Sequence, residues 1–400
     1  MTELQLLLLI FTLIYLWECV CWINRGSVAF LTWIGRRWRV AHPALLVGNQ
    51  AGGFIFAHPL PPLGTILVGN QFPLSIAPDA ILAYVAPGVN PGARPTQLAK
   101  LFKFDDIRKV EAVGKKVHIN GEVLLKVGTA TYASHIAQQL DELTKLPAAK
   151  REGALRDMAR DRFDTKAISE RWEAFRKQIA NIQMFTNWLF TYLFIFTPIL
   201  IWRLGFHLVW LELLAGLLCF TIVTSIFFRR IHKNFYSTAE DDRFTHFLTI
   251  LLSPATTIRA HDTLSRPLLE RFHPLAIAKV FCTEAQFRDF ASTIFRDIRH
   301  PALPLCPRNE PLAIGAENFN RSLLEKTVEE FLRKNNVSLK KLLQPPQPTD
   351  STCVSYCPRC LSQFTTLDGK CDDCGGLPLI RFSTANDQQS SEPTVAEPSR

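Results

Sequence analysis

Two Cys-x-x-Cys pairs near the end of the chain constrain its folding more than any other feature. The first pair is Cys357 and Cys360, and the second pair, Cys371 and Cys374, follows after ten residues. Four thiolates at this spacing can complete a tetrahedral shell around Zn²⁺, because each pair can bind from one tight turn. Sulfur would fill all four positions, so the pattern predicts a structural zinc site with no place for a catalytic water.

The segment around these cysteines resembles the short zinc ribbons found in many bacterial and archaeal proteins. The resemblance covers about residues 353–380 and implies that each cysteine pair lies at the tip of a β-hairpin. Such ribbons bind a protein, a nucleic acid, or nothing beyond zinc. A lone pair could instead be a redox dithiol, but two pairs this close together favour a metal. No resemblance to a family extends over the whole chain.

Three apolar segments predict transmembrane helices, namely residues 4–23, 185–202 and 208–228. A helix of about 20 residues crosses the hydrocarbon core of a bilayer. The first segment could also be a cleaved signal peptide. No basic residue precedes it and no small-residue cleavage site follows it, so we expect an anchor. The other two segments are separated only by residues 203–207, which predicts a helical hairpin.

Basic residues flank these segments unevenly. The chain carries 45 Lys and Arg against 36 Asp and Glu, a net charge of +9. Nucleic-acid binding could explain this excess, but positive residues next to membrane helices explain it better here. The flanking bases are Arg25, Arg36, Arg37 and Arg39, then Arg171, Arg176 and Lys177, and finally Arg229, Arg230, His232 and Lys233. They predict a multi-pass protein of a bacterial-type inner membrane, with its N-terminus outside and its C-terminus in the cytoplasm. The cysteine pairs would then lie in a reducing compartment.

Residues 24–146 predict a cytoplasmic β-rich domain. Short β-prone runs are punctuated by Gly, Pro and Asn, and Asn120-Gly121 predicts a two-residue hairpin turn. An amphipathic helix is expected over residues 131–146. The order of elements over residues 40–146 resembles a small barrel of the pleckstrin-homology type. That resemblance implies a membrane-proximal module that binds lipid or protein.

The complete prediction is a multi-domain α+β membrane protein. It has three transmembrane helices, a cytoplasmic β-rich domain, a cytoplasmic helical domain and a C-terminal zinc ribbon. The predicted segments are a first transmembrane helix (1–23), the β-rich domain (24–146), a charged amphipathic helical region (147–184), a transmembrane hairpin (185–228), the helical domain (229–343), a Pro-rich linker (344–352), the ribbon (353–382) and a disordered tail (383–400). One apolar helix face is expected from Ile168, Trp172, Phe175, Ile179 and Ile182. Thr283-Glu284-Ala285-Gln286 predicts a capping box at the start of a helix, and Cys353 is not expected to be a metal ligand.

The sequence contains no recognised catalytic motif, and we predict no catalytic residue. It favours a non-enzymatic scaffold or regulatory subunit at the membrane that binds a protein partner through its zinc ribbon. One alternative is a membrane-associated enzyme with its site in residues 240–310, for which the candidates are His246, His261, Asp262 and His273. Another is nucleic-acid binding through the ribbon. This is disfavoured because acidic residues balance Arg359, Lys370 and Arg381. The sequence does not indicate an oligomeric state.

Overall fold

The protein is a mixed α/β chain with small sheets, and it divides into two compact units. The computed structural model describes residues 54–57, 65–68, 74–84, 98–127, 129–236, 260, 264, 268–300, 310–374 and 376–382, with a few positions between residues 2 and 13. The first unit comprises Met1–Phe290 and Cys306–Asn320. The second unit comprises Ala291–Leu305 and Arg321–Arg400.

The strands of the first unit form three antiparallel sheets. The first sheet has two strands, β1 (Phe54–Ala57) and β2 (Thr65–Val68). The second sheet has three strands, β3 (Leu74–Ile76), β4 (Ala80–Tyr84) and β5 (Leu98–Lys103). The third sheet also has three strands, β6 (Val110–Val113), β7 (Lys116–Ile119) and β8 (Glu122–Lys126). Asn120 and Gly121 connect β7 to β8 with φ angles of 52° and 85°, so the predicted hairpin turn is confirmed. The described strands do not join into one barrel, so the pleckstrin-homology-type barrel is not supported.

The helices follow the strands along the chain. Among the described residues they are α1 (Ala130–Thr144), α2 (Ala148–Asp161), α3 (Thr165–Thr191), α4 (Thr197–Leu204), α5 (Phe206–Phe235), α6 (Pro274–Phe281), α7 (Glu284–Arg299), α8 (Pro311–Lys334) and α9 (Leu339–Leu342). The predicted capping box of α7 is confirmed, since the backbone N–H of Thr283 donates to Gln286 Oε1 at 3.0 Å and that of Gln286 donates to Thr283 Oγ1 at 3.4 Å.

Arg151 links the first helices to a sheet. The sequence places it in a charged, solvent-facing helix, but its side chain is buried. Its guanidinium donates to the carbonyls of Leu143 at 3.2 Å, Leu146 at 2.9 Å and Pro78 at 2.9 Å. It also lies 4.3 Å above the ring of Phe104. Arg151 therefore satisfies the carbonyls that end α1 and ties α2 to the turn between β3 and β4.

Helices α3 and α4 follow one another along the chain, and together they run antiparallel to α5. The three helices are called the antiparallel pair below. Phe185 contacts Phe227, with ring centroids 5.5 Å apart, and the Tyr192 hydroxyl donates to the carbonyl of Glu212 at 2.9 Å. A π-helical turn, Tyr192–Phe196, lies between α3 and α4. Pro198 lies two residues beyond the end of this turn and has no N–H to donate to a carbonyl four residues earlier, which accounts for the irregular hydrogen bonding there.

The prediction of three transmembrane helices is wrong. Within the described part of the chain, only the segment Leu211–Phe235 of α5 is long and apolar enough to cross a membrane. The predicted second span is not one helix, because the π-helical turn interrupts it. The predicted first span, residues 4–23, lies almost entirely outside the described residues.

The antiparallel pair nevertheless presents a broad apolar surface to its surroundings. Trp202 is 82% exposed and Ile226 is 62% exposed. The other large apolar side chains exposed on this pair are Met184, Trp188, Ile195, Phe196, Ile199, Leu204, Leu211, Leu218 and Ile222. Soluble proteins rarely expose so many large apolar residues in one region. The predicted stripe on the other part of α3 behaves differently, since Ile168, Trp172, Phe175, Ile179 and Ile182 are all buried.

The second unit combines the C-terminal parts of α7 and α8 with α9 and the cysteine-rich segment. Arg299 near the end of α7 pairs with Glu325 at 2.5 Å and with Glu329 at 2.8 Å, both on α8. Ser292 Oγ donates to the carbonyl of Leu342 at 3.0 Å, which joins α7 to α9. These contacts hold the helices of the second unit together.

Candidate metal centre

The first cysteine pair lies at the tip of a β-hairpin. Strands β9 (Ser355–Tyr356) and β10 (Gln363–Phe364) pair in antiparallel register. In the connecting loop, the N–H of Leu361 donates to the carbonyl of Cys357 at 2.9 Å, and the N–H of Cys357 donates to the carbonyl of Ser362 at 2.9 Å. Leu361 has a φ of 62°, a left-handed conformation that closes the turn. This turn directs both cysteines of the pair towards one point.

The second cysteine pair has the same arrangement. Strands β11 (Lys370–Cys371) and β12 (Leu377–Pro378) flank a 3₁₀ turn at Asp372–Cys374. The N–H of Gly376 donates to the carbonyl of Cys371 at 2.9 Å, and the φ of Gly376 is 81°. A left-handed φ of this kind favours glycine, so Gly376 suits the turn. Strand β13 (Ile380–Arg381) joins β9 to complete a three-stranded sheet.

The two turns bring all four sulfur atoms together. The Sγ atoms of Cys357, Cys360, Cys371 and Cys374 lie within 4.8 Å of one another, and Cys360 Sγ is 3.7 Å from Cys371 Sγ. Tetrahedral zinc with Zn–S bonds of about 2.3 Å requires sulfur atoms about 3.8 Å apart. The cluster therefore has the donor set and the dimensions of a Cys₄ metal site. Apolar filler was expected from Tyr356, Phe364 and Leu377; of these, Phe364 and Leu377 pack against the cluster, together with Leu379.

The surroundings of the four thiols favour a bound cation. Burial opposes ionisation of Cys360, but hydrogen bonds with Ser362 and with the side chains of Cys357 and Cys374 together outweigh burial and lower the pKa of this thiol to about 7. Burial raises the pKa of Cys371 and of Cys374, and neighbouring sulfur atoms raise both further. Four thiolates this close together would repel one another, whereas a bound divalent cation would stabilise all four negative charges.

An ion pair holds the first cysteine turn against α7. Arg359, between Cys357 and Cys360, donates from Nε to Oδ1 of Asp297 at 2.6 Å. The Arg359 side chain is only 17% exposed, and its Nη1 is buried without a hydrogen-bond partner in the described residues. The ribbon is therefore attached to the helical part of its unit by a side chain from within the predicted metal-binding turn.

Comparison with protein-family models, with curated proteins and with solved structures gave no match for this chain.

Cys353 stays outside the metal cluster, as predicted. Its Sγ lies 3.8 Å from Thr349 Oγ1, and it is not among the four sulfur atoms that meet. Cys282 is equally separate, and burial raises the pKa of its thiol to about 11, which makes it a poor nucleophile. Neither thiol supplies a second metal or catalytic site in the described residues.

The enzyme alternative gains no support from His273. Its side chain is buried, stacks on Phe163 with ring centroids 4.2 Å apart, and accepts a hydrogen bond from the N–H of Leu275 at 3.2 Å. These contacts define a helix-capping residue at the start of α6. The other three candidates, His246, His261 and Asp262, lie outside the described residues.

The bases of the ribbon are mostly paired. Asp297 holds Arg359, and both carboxylate oxygens of Asp368 accept from Arg381 Nη2 at 2.9 Å. A phosphate backbone would have to displace these carboxylates, so nucleic-acid binding through the ribbon remains disfavoured.

A buried polar contact in the first unit was not foreseen from the sequence. Glu270 is 2% exposed, and its Oε2 accepts from Thr129 Oγ1 at 3.3 Å. Thr129 in turn caps α1 by accepting from the N–H of Tyr132 at 3.1 Å. Burial raises the pKa of Tyr132, which also senses Arg162 and Glu270. These residues are too far apart in the chain for any local pattern to group them.

Proposed function

We propose that this chain is a membrane-anchored zinc-ribbon protein that acts as a non-enzymatic scaffold or regulatory subunit on the cytoplasmic face. The observation that carries the anchoring is the exposed apolar surface of the antiparallel pair, which only a lipid or another apolar partner would cover. The observation that carries the zinc site is the cluster of four sulfur atoms, whose spacing suits tetrahedral zinc.

The distribution of charge supports one orientation of the pair. The end formed by Gly205 carries one base, Arg203, whereas Arg176 and Lys177 on α3 and Arg229, Arg230 and Lys233 on α5 lie at the opposite end. Positive residues are retained on the cytoplasmic side of a membrane. The β-rich segment and the ribbon would then both lie in the cytoplasm, where thiolates stay reduced.

Zinc in the ribbon would be structural. When bound, it would neutralise the thiolates and fix the two turns, and the closed shell would leave no position for substrate. The ribbon also exposes Leu367 (54%) and Ile380 (41%), two apolar side chains that a partner protein could cover. We assign partner binding to this surface.

The anchoring and orientation can be tested by cysteine labelling in intact cells. We would compare Arg203→Cys with Lys177→Cys, using a membrane-impermeant maleimide and subtracting the labelling of the unsubstituted protein. We expect Arg203→Cys to react from outside and Lys177→Cys to react only after permeabilisation. Extraction of the protein from membranes by alkaline carbonate would refute the anchoring, and the reverse labelling pattern would refute the orientation.

The role of the ribbon can be tested by affinity capture from gently solubilised membranes. Wild type would be compared with Cys357→Ser/Cys360→Ser and with Cys353→Ser, a matched control outside the cluster. We expect one zinc per chain in wild type and control, none in the double variant, and loss of the captured partner only with the zinc. Retention of the same partners without zinc would make the ribbon purely structural.

A further inference from the structure

A groove lies between α3 and α5, just beyond the exposed apolar surface of these helices. Its volume is about 340 Å³, and its walls are Gln178 and Asn181 of α3 with Phe227, Arg230, Ile231 and Asn234 of α5. The residues from α5 are spaced at i, i+3, i+4 and i+7, so they form one face of that helix. The groove therefore follows the seam between the two helices.

The groove combines a cation, three amides and an apolar wall. Gln178 Oε1 accepts from Asn234 Nδ2 at 2.8 Å, which bridges the two helices at one end. The amide of Asn181 and the guanidinium of Arg230 are exposed beside this bridge. Among the described residues, no carboxylate pairs with Arg230. Several N–H donors thus converge on a space with room for an oxygen-rich anion.

The charge around the groove is of one sign. Residues 174–184 contain Arg176 and Lys177 and no acid, and residues 226–236 contain Arg229, Arg230 and Lys233 and no acid. A groove lined with donors and surrounded by bases attracts anions and repels metal ions. A phosphate pairs with a guanidinium fork through two parallel N–H···O bonds.

The depth of the groove favours a phosphate that belongs to a lipid. The last outward apolar residues are Ile226 on α5 and Met184 on α3. Arg230 and Asn181 lie four and three residues beyond them, or about 6 Å and 4.5 Å along the helices at 1.5 Å per residue. In the proposed orientation this is the level of the lipid head groups on the cytoplasmic side. Phe227, one residue beyond Ile226, would then contact the start of the acyl chains.

We propose that this groove binds the phosphate head group of an anionic glycerophospholipid, with Arg230 as its main ligand and the amides of Asn181, Gln178 and Asn234 as further donors. The inference rests on the proposed anchoring of the helical pair. It adds a specific lipid site to that anchor.

The test uses the full-length protein in detergent, with lipid retention measured by native mass spectrometry. The probes are phosphatidylglycerol and, as the zwitterionic comparison, phosphatidylcholine. Arg230→Gln would be compared with Arg229→Gln, which removes the same charge from the neighbouring position outside the groove. We expect one retained phosphatidylglycerol on wild type, about tenfold weaker retention with Arg230→Gln, and a change within about twofold with Arg229→Gln. Arg230→Lys should fall between, because it keeps the charge but loses the fork.

Two outcomes would overturn the lipid site. Equal losses for Arg230→Gln and Arg229→Gln would show diffuse attraction to anionic lipid instead of a groove. Displacement of the lipid by millimolar inorganic phosphate would show a site for a soluble anion. Carbonate extraction of the same variants separates this inference from the proposed anchoring. If the variants stay in the membrane and retain phosphatidylglycerol equally, only the lipid site is disproved. If carbonate extracts the protein from the membrane, the anchoring is disproved.

Discussion

The packing of the helical pair predicts an unusual sign for one glycine substitution. Replacing Gly by Ala inside a helix normally stabilises a protein by about 1 kcal/mol. In Gly216→Ala, however, the new Cβ would lie 2.5 Å from the Tyr192 hydroxyl oxygen, 2.6 Å from Cζ and 2.8 Å from Cε1. An unstrained contact needs about 3.5 Å, so the ring must move by roughly 1 Å. The hydrogen bond from Tyr192 to the carbonyl of Glu212 opposes that movement.

The expected change in the free energy of unfolding is the cost of the clash and of the weakened hydrogen bond, less the gain in helix propensity. Overpacking of this kind costs about 1–3 kcal/mol, and moving the ring also weakens one hydrogen bond worth about 1 kcal/mol. After the gain in helix propensity, Gly216→Ala should destabilise the protein by about 2 kcal/mol. Gly153→Ala is the control, because Gly153 is exposed within α2 and its added Cβ would have nothing within 4 Å. We expect the control to stabilise by about 0.5–1 kcal/mol.

The assay is thermal unfolding of the full-length protein in detergent, followed by ellipticity at 222 nm. Gly216→Ala should lower the Tm by about 2–4 °C or more, whereas Gly153→Ala should raise it. In a Tyr192→Ala background the penalty at Gly216 should disappear, which gives a coupling of at least about 1 kcal/mol between the two sites. A Gly216→Ala protein as stable as the Gly153→Ala protein would refute the described packing of Tyr192 against Gly216.

Three further predictions concern other described contacts. Arg151→Met should destabilise the protein by about 3 kcal/mol in denaturant unfolding, because the half-buried carbonyls of Leu146 and Pro78 lose their hydrogen bonds to a charged donor. A loss under about 1 kcal/mol would contradict the buried position of Arg151. Asp297→Asn should increase amide hydrogen exchange around the first cysteine turn, whereas Asp368→Asn, which breaks a more exposed pair, should not. Burial, with a smaller contribution from Arg162, lowers the pKa of His273, so the unfolded chain binds the proton more readily. The contribution of neutral His273 to the free energy of unfolding should therefore be fully present above about pH 6.5. Below that pH, the free energy of unfolding should fall by up to about 1.4 kcal/mol per pH unit. His273→Asn can still cap α6 and should reduce this acid sensitivity, measured by thermal melts between pH 7 and pH 5.5.

Local signals in the sequence predicted local structure well. The Asn120-Gly121 turn, the capping box at Thr283 and the two cysteine turns each depend on residues a few positions apart, and the structure contains all of them. Their spacing is set by backbone geometry, which a sequence displays directly. The strands β3 and β5 were missed because β3 has only three residues and β5 follows a stretch rich in Gly and Pro.

Features that depend on distant partners could not be read in the same way. Arg151 resembles any other base of a charged helix, and its burial depends on carbonyls from two separate segments, the end of α1 and the turn at Pro78. Arg359 and Asp297 are 62 positions apart, and Thr129 and Glu270 are 141 apart. The span predicted over residues 185–202 failed for a related reason. Hydropathy measures composition, but the π-helical turn before Pro198 is a property of backbone hydrogen bonding.

Arg359 connects the metal-binding turn of the ribbon with the attachment of the ribbon to α7. The residue that grips α7 lies between two of the four sulfur atoms, so its backbone conformation is that of the cysteine turn. A change in the oxidation or occupancy of these thiols that reshapes the turn would also move the backbone that carries Arg359. The ion pair between Arg359 and Asp297 would then connect chemistry at the sulfur atoms to α7.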